Sequence, residues 1–386
     1  MAASAEVRFL SGLDEIAAQD WDALRPDDNP FLAHAFLYGL ERHGCIRAEL
    51  GWLPWHAVLL QAGRAVAAAP CYLKDNSHGE FVFDWAWAEA YQRHGLDYYP
   101  KLLVAVPYSP VTGPRLLGAP AQRQVLLQAL AQACTQHRLS SVHVNFIAEE
   151  ARADFDTGTW LPRRDWQFHW HNRGYRDFDD FLTALKPKKR KNLRQERARV
   201  AAQGVSLQTL HGDELDEADW RFVHACYKET FAEKGNYPAL TEAFLRHLGQ
   251  AMPRNLVVFL ARQHGERVAM ALCLRSRDTL YGRYWGCTRE IPGLHFEACY
   301  YQGLDYCLRE GLQRFEPGAQ GEHKIARGFL PTPTHSFHHV AQPPFRDAIR
   351  RALQAEERHW QRNGEYFRAQ SPYADADTYD GAGAEA

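Results

Sequence analysis

One pattern of apolar runs occurs twice in this chain, once in each half, and it restricts the fold more than any single residue does. His56–Gln61 and Ala65–Leu73 flank Ala62-Gly63, while Leu256–Leu260 and Val268–Leu274 flank His264-Gly265. Runs of this kind around a two-residue turn read as β-hairpins. A further strand follows each, over Leu102–Tyr108 and Leu280–Cys287. A Gly- and Pro-containing loop then leads to an amphipathic helix, Ala121–His137 in the first half and His295–Leu312 in the second. In the second helix Phe296, Cys299, Tyr300, Leu304, Cys307, Leu308 and Leu312 recur at helical spacing. A last strand closes each unit, Ser141–Ile147 and the segment opening at Phe315. The pattern predicts an α/β (α+β) protein of two similar units, each a mostly antiparallel sheet with a crossover helix.

With 386 residues the chain has room for two cores. The expected division is a first domain over 1–165 and a second over 166–345 that carries a basic helix, 186–203. A C-terminal helix follows over 346–370, then an acidic, small-residue tail over 371–386 expected to be disordered. A net charge of −2 excludes a globally basic nucleic-acid binder but leaves room for a local basic patch. The eight cysteines include no CxxC pair, which argues against a zinc ribbon or redox motif. Neither a signal-type run at the start nor an apolar stretch of about 18 residues is present, so a soluble, cytoplasmic protein is expected.

Two segments carry the charge chemistry. From Lys186 to Arg199 there are eight basic residues and one acidic residue. Pro187 starts a helix on which Arg190, Arg194 and Arg197 share a face, a row suited to phosphate. Like charges at that spacing repel, so an anionic partner would offset them. The second segment runs from Pro317 to Lys324, with Arg327 and Gly328 following. It sets Glu322, His323 and Lys324 side by side after glycines that let a backbone approach a ligand. On the strand Trp166–His171, His169 and His171 alternate with Phe168 and Trp170, giving one polar face. His323, His335, His338 and His339 lack the ligand spacing of a metal site, and none is expected. Glu297 is expected to cap the second crossover helix at its positive end.

The stretch Lys188–Arg194 followed by Gly204-Val205 resembles the opening of the second domain of Fem-type peptidoglycan peptidyltransferases. His169-Trp170, Phe178-Asp179-Asp180-Phe181, the helix with Arg190 and Lys191, and the run Pro317–Lys324 resemble more closely the FemAB-like family of GNAT-related proteins, over roughly 29–339. That resemblance implies tandem GNAT-like acyltransferase domains and a link to peptidoglycan biosynthesis or recognition. It places His169, Trp170, Arg190, Lys191, Asn192, Arg194 and Gln320 at the substrate. The acyl donor it implies is acyl-CoA or aminoacyl-tRNA. Neither Thr112–Gly118 nor Arg289–Gly293 keeps the phosphate-cradling spacing of a CoA-binding loop. Fem-type enzymes share this lack and take their acyl group from aminoacyl-tRNA, whose phosphates would give the basic helix an anionic partner.

Acyl transfer to an amine needs a proton acceptor, a donor for the developing oxyanion and exclusion of water. The expected catalytic group is Glu322, His323 and Lys324, with Glu322 or His323 taking the proton. Lys324 and Arg327 would neutralise the oxyanion or a substrate carboxylate, and Tyr284 with Trp285 would form an aromatic wall. The alternative is a non-catalytic GNAT-fold protein that binds a cell-wall precursor or another anionic ligand. A third reading, RNA binding without chemistry, rests on the basic helix alone.

Overall fold

Both hairpins form, and they turn in the same way. A computed structural model describes residues 5–156, 158–319 and 321–375. Ala62 and Gly63 have φ of 50° and 77°, and His264 and Gly265 have φ of 52° and 83°. Two successive residues with positive φ make the turn whose twist matches that of antiparallel strands.

The described strands are β1 (Ala5–Leu10), β2 (Trp52–Pro54), β3 (His56–Gln61), β4 (Arg64–Ala69), β5 (Cys71–Lys74), β6 (Lys101–Val104), β7 (Leu117–Gly118) and β8 (Ser141–Ile147). They continue with β9 (Leu161–His171), β10 (Val205–His211), β11 (Leu256–Gln263), β12 (Glu266–Arg275), β13 (Thr279–Cys287), β14 (Arg314–Glu316) and β15 (Leu330–Val340). The chain divides into two units. Unit 1 comprises 1–165 and 333–361, and unit 2 comprises 166–332 and 362–386. Residues 333–345, expected in the second domain, therefore belong to unit 1. The reason is pairing: His335–Val340 of β15 runs antiparallel to Ser141–Ile147 of β8.

In unit 1, β3 pairs with β1 and β4, while β5 pairs with β2 and β6. The strand expected over Ala65–Leu73 is split into β4 and β5 at Pro70, which has no N–H to give a ladder. The crossover helix Pro120–Gln136 then returns the chain so that β8 lies parallel to β6. Leu126, Leu130 and Cys134 of that helix join Leu59, Ala67, Val104 and Val144 in the core. Unit 1 also buries an ion cluster. Lys101 Nζ lies 2.8 Å from Glu80 Oε2 and 2.5 Å from Asp84 Oδ2, and Tyr98 donates to Asp84 at 2.6 Å.

Unit 2 repeats the scheme. β11 pairs antiparallel with β10 and β12, and β12 with β13. A crossover helix over 294–310 brings β14 parallel to β13, and β14 pairs antiparallel with β9. One turn of that helix, Glu297–Tyr301, is π-helical. Such bulges concentrate at functional sites. Leu304, Cys307 and Leu312 pack against Phe259, Leu280 and Phe315, with Trp170 and Phe181 in the same core. Hairpin, third strand, crossover helix and parallel strand, twice over, are the tandem GNAT-like architecture.

The C-terminal helix runs from Pro343 to Ala369. The stretch expected as a disordered tail is placed over its first five residues. Tyr373 is 3 % exposed and donates to Gly328 O at 2.7 Å, because its ring fills the space beside Phe181. Residues 376–386 lie outside the described residues.

Candidate functional site

The parallel pairing of β13 with β14 is short, and the sequence explains why. Thr279, Leu280 and Tyr281 face Arg314, Phe315 and Glu316. The next residue, Pro317, has no N–H to donate, and Gly318 at φ 98° turns the chain away. β13 continues to Cys287, so residues 283–287 have no strand partner on that side among the described residues. Glu322–Arg327 then forms a 3₁₀ helix.

That helix divides the three consecutive ionisable residues. Lys324 turns inward and is 2 % exposed, with Nζ donating to Gly318 O at 2.7 Å. Burial pulls its pKa down to about 8. His323 sits near the surface, its Nε2 2.9 Å from the Tyr300 hydroxyl. Burial, then Arg327 and Lys324, lower its pKa, so the ring is neutral at pH 7. Glu322 is exposed and makes no hydrogen bond or ion pair with the described residues. The expected convergence of all three is thus not what the helix produces: consecutive positions on a turn point in different directions. Gln320 lies outside the described residues.

Arg327 is held on three sides. Its guanidinium lies 3.6 Å from the Phe296 ring centroid, and it donates to His323 O and to Glu196 Oε2, each at 2.9 Å. Glu196 also accepts from the Tyr301 hydroxyl. Arg327 is therefore a strut joining the 3₁₀ helix to the basic helix. The rings of Phe296 and Tyr300 flank His323 at 5.7 and 5.8 Å. Burial raises the Tyr300 phenol well above its ordinary value, keeping it a proton donor. His295, between Trp285 and Tyr300, is lowered to about 4 by burial.

Several expected contacts lie elsewhere. Trp170 is completely buried in the core, edge-on to Phe181, which removes it from any ligand surface. His169 is also buried, with Nε2 3.1 Å from Gln167 Oε1, and burial holds it neutral. Tyr284 and Trp285 do not make one wall, because neighbouring strand residues face opposite ways. Tyr284 meets Tyr227 at 4.9 Å, whereas Trp285 meets His295 at 5.3 Å. Glu297 does not cap its helix; it pairs with Arg197 at 3.0 Å.

The basic helix spans Pro187–Ala201. Its arginine row has partners within unit 2. Arg190 donates to Leu185 O at 3.4 Å, Arg194 pairs with Asp179 at 3.0 Å, and Arg197 pairs with Asp305 at 2.6 Å as well as with Glu297. These carboxylates offset the repulsion for which an external anion had been expected. Lys191 and Asn192 are exposed. Of the residues that sequence reasoning passed over, Tyr300 was hidden in the apolar stripe of the crossover helix. Glu196 had a visible signal as the one acid in the basic run.

The four histidines weighed as metal ligands have separate partners. His338 Nδ1 meets His143 Nδ1 at 2.7 Å, His335 pairs with Glu149 at 2.8 Å, His323 is with Tyr300, and the His339 ring lies 5.7 Å from that of Trp160. Among the described residues no helix is long and apolar enough to cross a membrane.

No curated protein matches the chain. Among solved structures it is similar to FemX, with 10% identity and a TM-score of 0.52, covering 87% of this chain and 98% of that one. It is also similar to the L-PGS of Bacillus licheniformis, with 12% identity and a TM-score of 0.51, covering 85% and 98%. At these identities the likeness is one of fold. The FemAB-like family, described as peptidoglycan biosynthesis/recognition, matches residues 12–375, and the chain belongs to that family.

Proposed function

We propose that the chain transfers an acyl or aminoacyl group to an amine, with unit 2 as the reacting unit and an anionic, nucleotide-linked peptidoglycan precursor as acceptor. The observation that carries this reading is the buried Lys324 ammonium where β13 and β14 part, next to a neutral His323. The roles divide by environment. His323 is neutral and reachable, so it accepts the proton of the attacking amine and passes it to the leaving tRNA hydroxyl or CoA thiol as the ester or thioester bond breaks and the amide forms. Lys324 is mostly protonated at pH 7 and stabilises the oxyanion at the acyl carbon. Tyr300 holds the imidazole in place. Aminoacyl-tRNA and acyl-CoA both supply the required activated carbonyl, and both are cytoplasmic donors; eight free cysteines suit that compartment.

Single-turnover assays with labelled aminoacyl-tRNA or acyl-CoA and a nucleotide-linked peptide acceptor test this directly. His323→Ala and Lys324→Ala are each expected to slow transfer by about 10²-fold or more while leaving the fold intact. Unchanged rates in both variants would discard the assignment. The exposed Glu322, which forms no ion pair with the described residues, favours a second reading, a binding protein without chemistry: tight acceptor binding with no transfer from either donor would establish it.

A further inference from the structure

Unit 1 contains a groove of about 520 Å³ between the start of β9 and the C-terminal helix. Leu161, Pro162 and Leu353 give it an apolar floor, and Arg164, Arg350 and Arg358 line it with charge. The helix makes this possible, since positions 350, 353/354 and 357/358 recur on one face. Glu357 is the one carboxylate in the lining, and it is already shared with Arg164 at 3.5 Å. The Arg164 guanidinium is also fixed 4.9 Å from the Trp360 ring centroid. Glu356, next along the helix, is taken by Arg163 at 2.9 Å. Arg350 and Arg358 form no ion pair with the described residues. The lining therefore keeps an excess of positive charge over apolar ground.

We infer that this groove is a binding site for a small soluble phosphate monoester with an apolar arm. Guanidinium forks give a phosphate more matched donors than a lone carboxylate can use. Three arginines against one glutamate leave two positive charges, equal to the charge of a phosphate monoester dianion. The arm would lie along Leu161, Pro162 and Leu353. The volume is that of a small-molecule site, and a concave groove suits a free ligand better than a flat bilayer surface. Neither the proposed transfer reaction nor any residue of unit 2 is needed for this site.

Calorimetry on the full chain with hexyl phosphate, inorganic phosphate and hexanoate tests the inference. Hexyl phosphate is expected to bind about tenfold or more tightly than either of the others, since each alone supplies half the recognition. The double variant Arg350→Gln, Arg358→Gln, checked by circular dichroism, should lose at least about tenfold of that affinity. Leu353→Ser should weaken hexyl phosphate and leave inorganic phosphate unchanged. Equal affinity for hexyl phosphate and inorganic phosphate would overturn the proposal, as would undiminished binding in the folded double variant. So would arginine-dependent sedimentation with anionic phospholipid vesicles in the absence of hexyl phosphate binding, which would mean that the face reads a bilayer.

Discussion

An ammonium held away from water behaves differently from one on a surface, and Lys324 shows its consequences at the scale of one residue. Its pKa, about 8, lies below the ordinary lysine value of 10.5. Between those two values the unfolded chain binds more protons than the folded one, so stability rises with pH across that window. Lys324→Met should flatten that part of the stability–pH curve, measured by denaturant unfolding at pH 7 and at pH 10; an unchanged slope would place the charge elsewhere. The reaction proposed for this site depends on pH in the opposite sense. Transfer should fall as pH rises through about 8, because the oxyanion loses its cation. It should also fall on the acid side once His323 becomes protonated, below the ordinary histidine range. Lys324→Arg should move the alkaline limb upward, because guanidinium stays charged. Elsewhere, Trp170→Ala should cost about 3–5 kcal/mol of stability as a core truncation. Lys101→Ala should be comparably costly, since it strands two buried carboxylates in unit 1.

Elements explain which parts of this arrangement could be read in advance. The hairpins, third strands and crossover helices follow from local periodicity, and local periodicity is present in the sequence. The parting of β13 from β14 was legible too, in Pro317 and Gly318, although those residues had been read as a loop near a ligand and not as the end of a ladder. The fate of the arginine row was not legible. Asp179, Glu297 and Asp305 approach it only after the chain has folded, and Glu297 and Asp305 lie about a hundred residues away in sequence. The π turn at Glu297–Tyr301 was equally hidden, since one extra residue barely perturbs a stripe of apolar positions. The Arg327–Glu196 strut gives a test at this scale. Glu196→Gln should loosen the 3₁₀ helix, lowering kcat more than it raises KM and increasing amide exchange over Glu322–Arg327. An effect on KM alone would mean that Glu196 touches substrate. Gly318→Ala places a side chain at φ 98° and should destabilise unit 2 by roughly 1–2 kcal/mol.

At the scale of the molecule, the same topology appears twice but with different contents. In unit 1 the counterpart of the parting strands, β6 and β8, is filled by its own chain. Gly113 bridges Ile147, and the Arg115 side chain, 1 % exposed, donates to Asn145 O at 2.9 Å. Acyl donor should therefore bind with one equivalent per chain at saturation, measured by equilibrium dialysis, and Arg115→Ala should lower stability without changing that stoichiometry. The path of the backbone has a separate consequence for biogenesis. Unit 1 takes its last strand and helix from 333–361. A ribosome must therefore translate all of 166–332 before the first half can close, and until then the edge of β8 that pairs with β15 is left bare. Nascent chains of this protein should depend on holdase chaperones, and a gene cut after codon 165 should yield aggregate instead of a module.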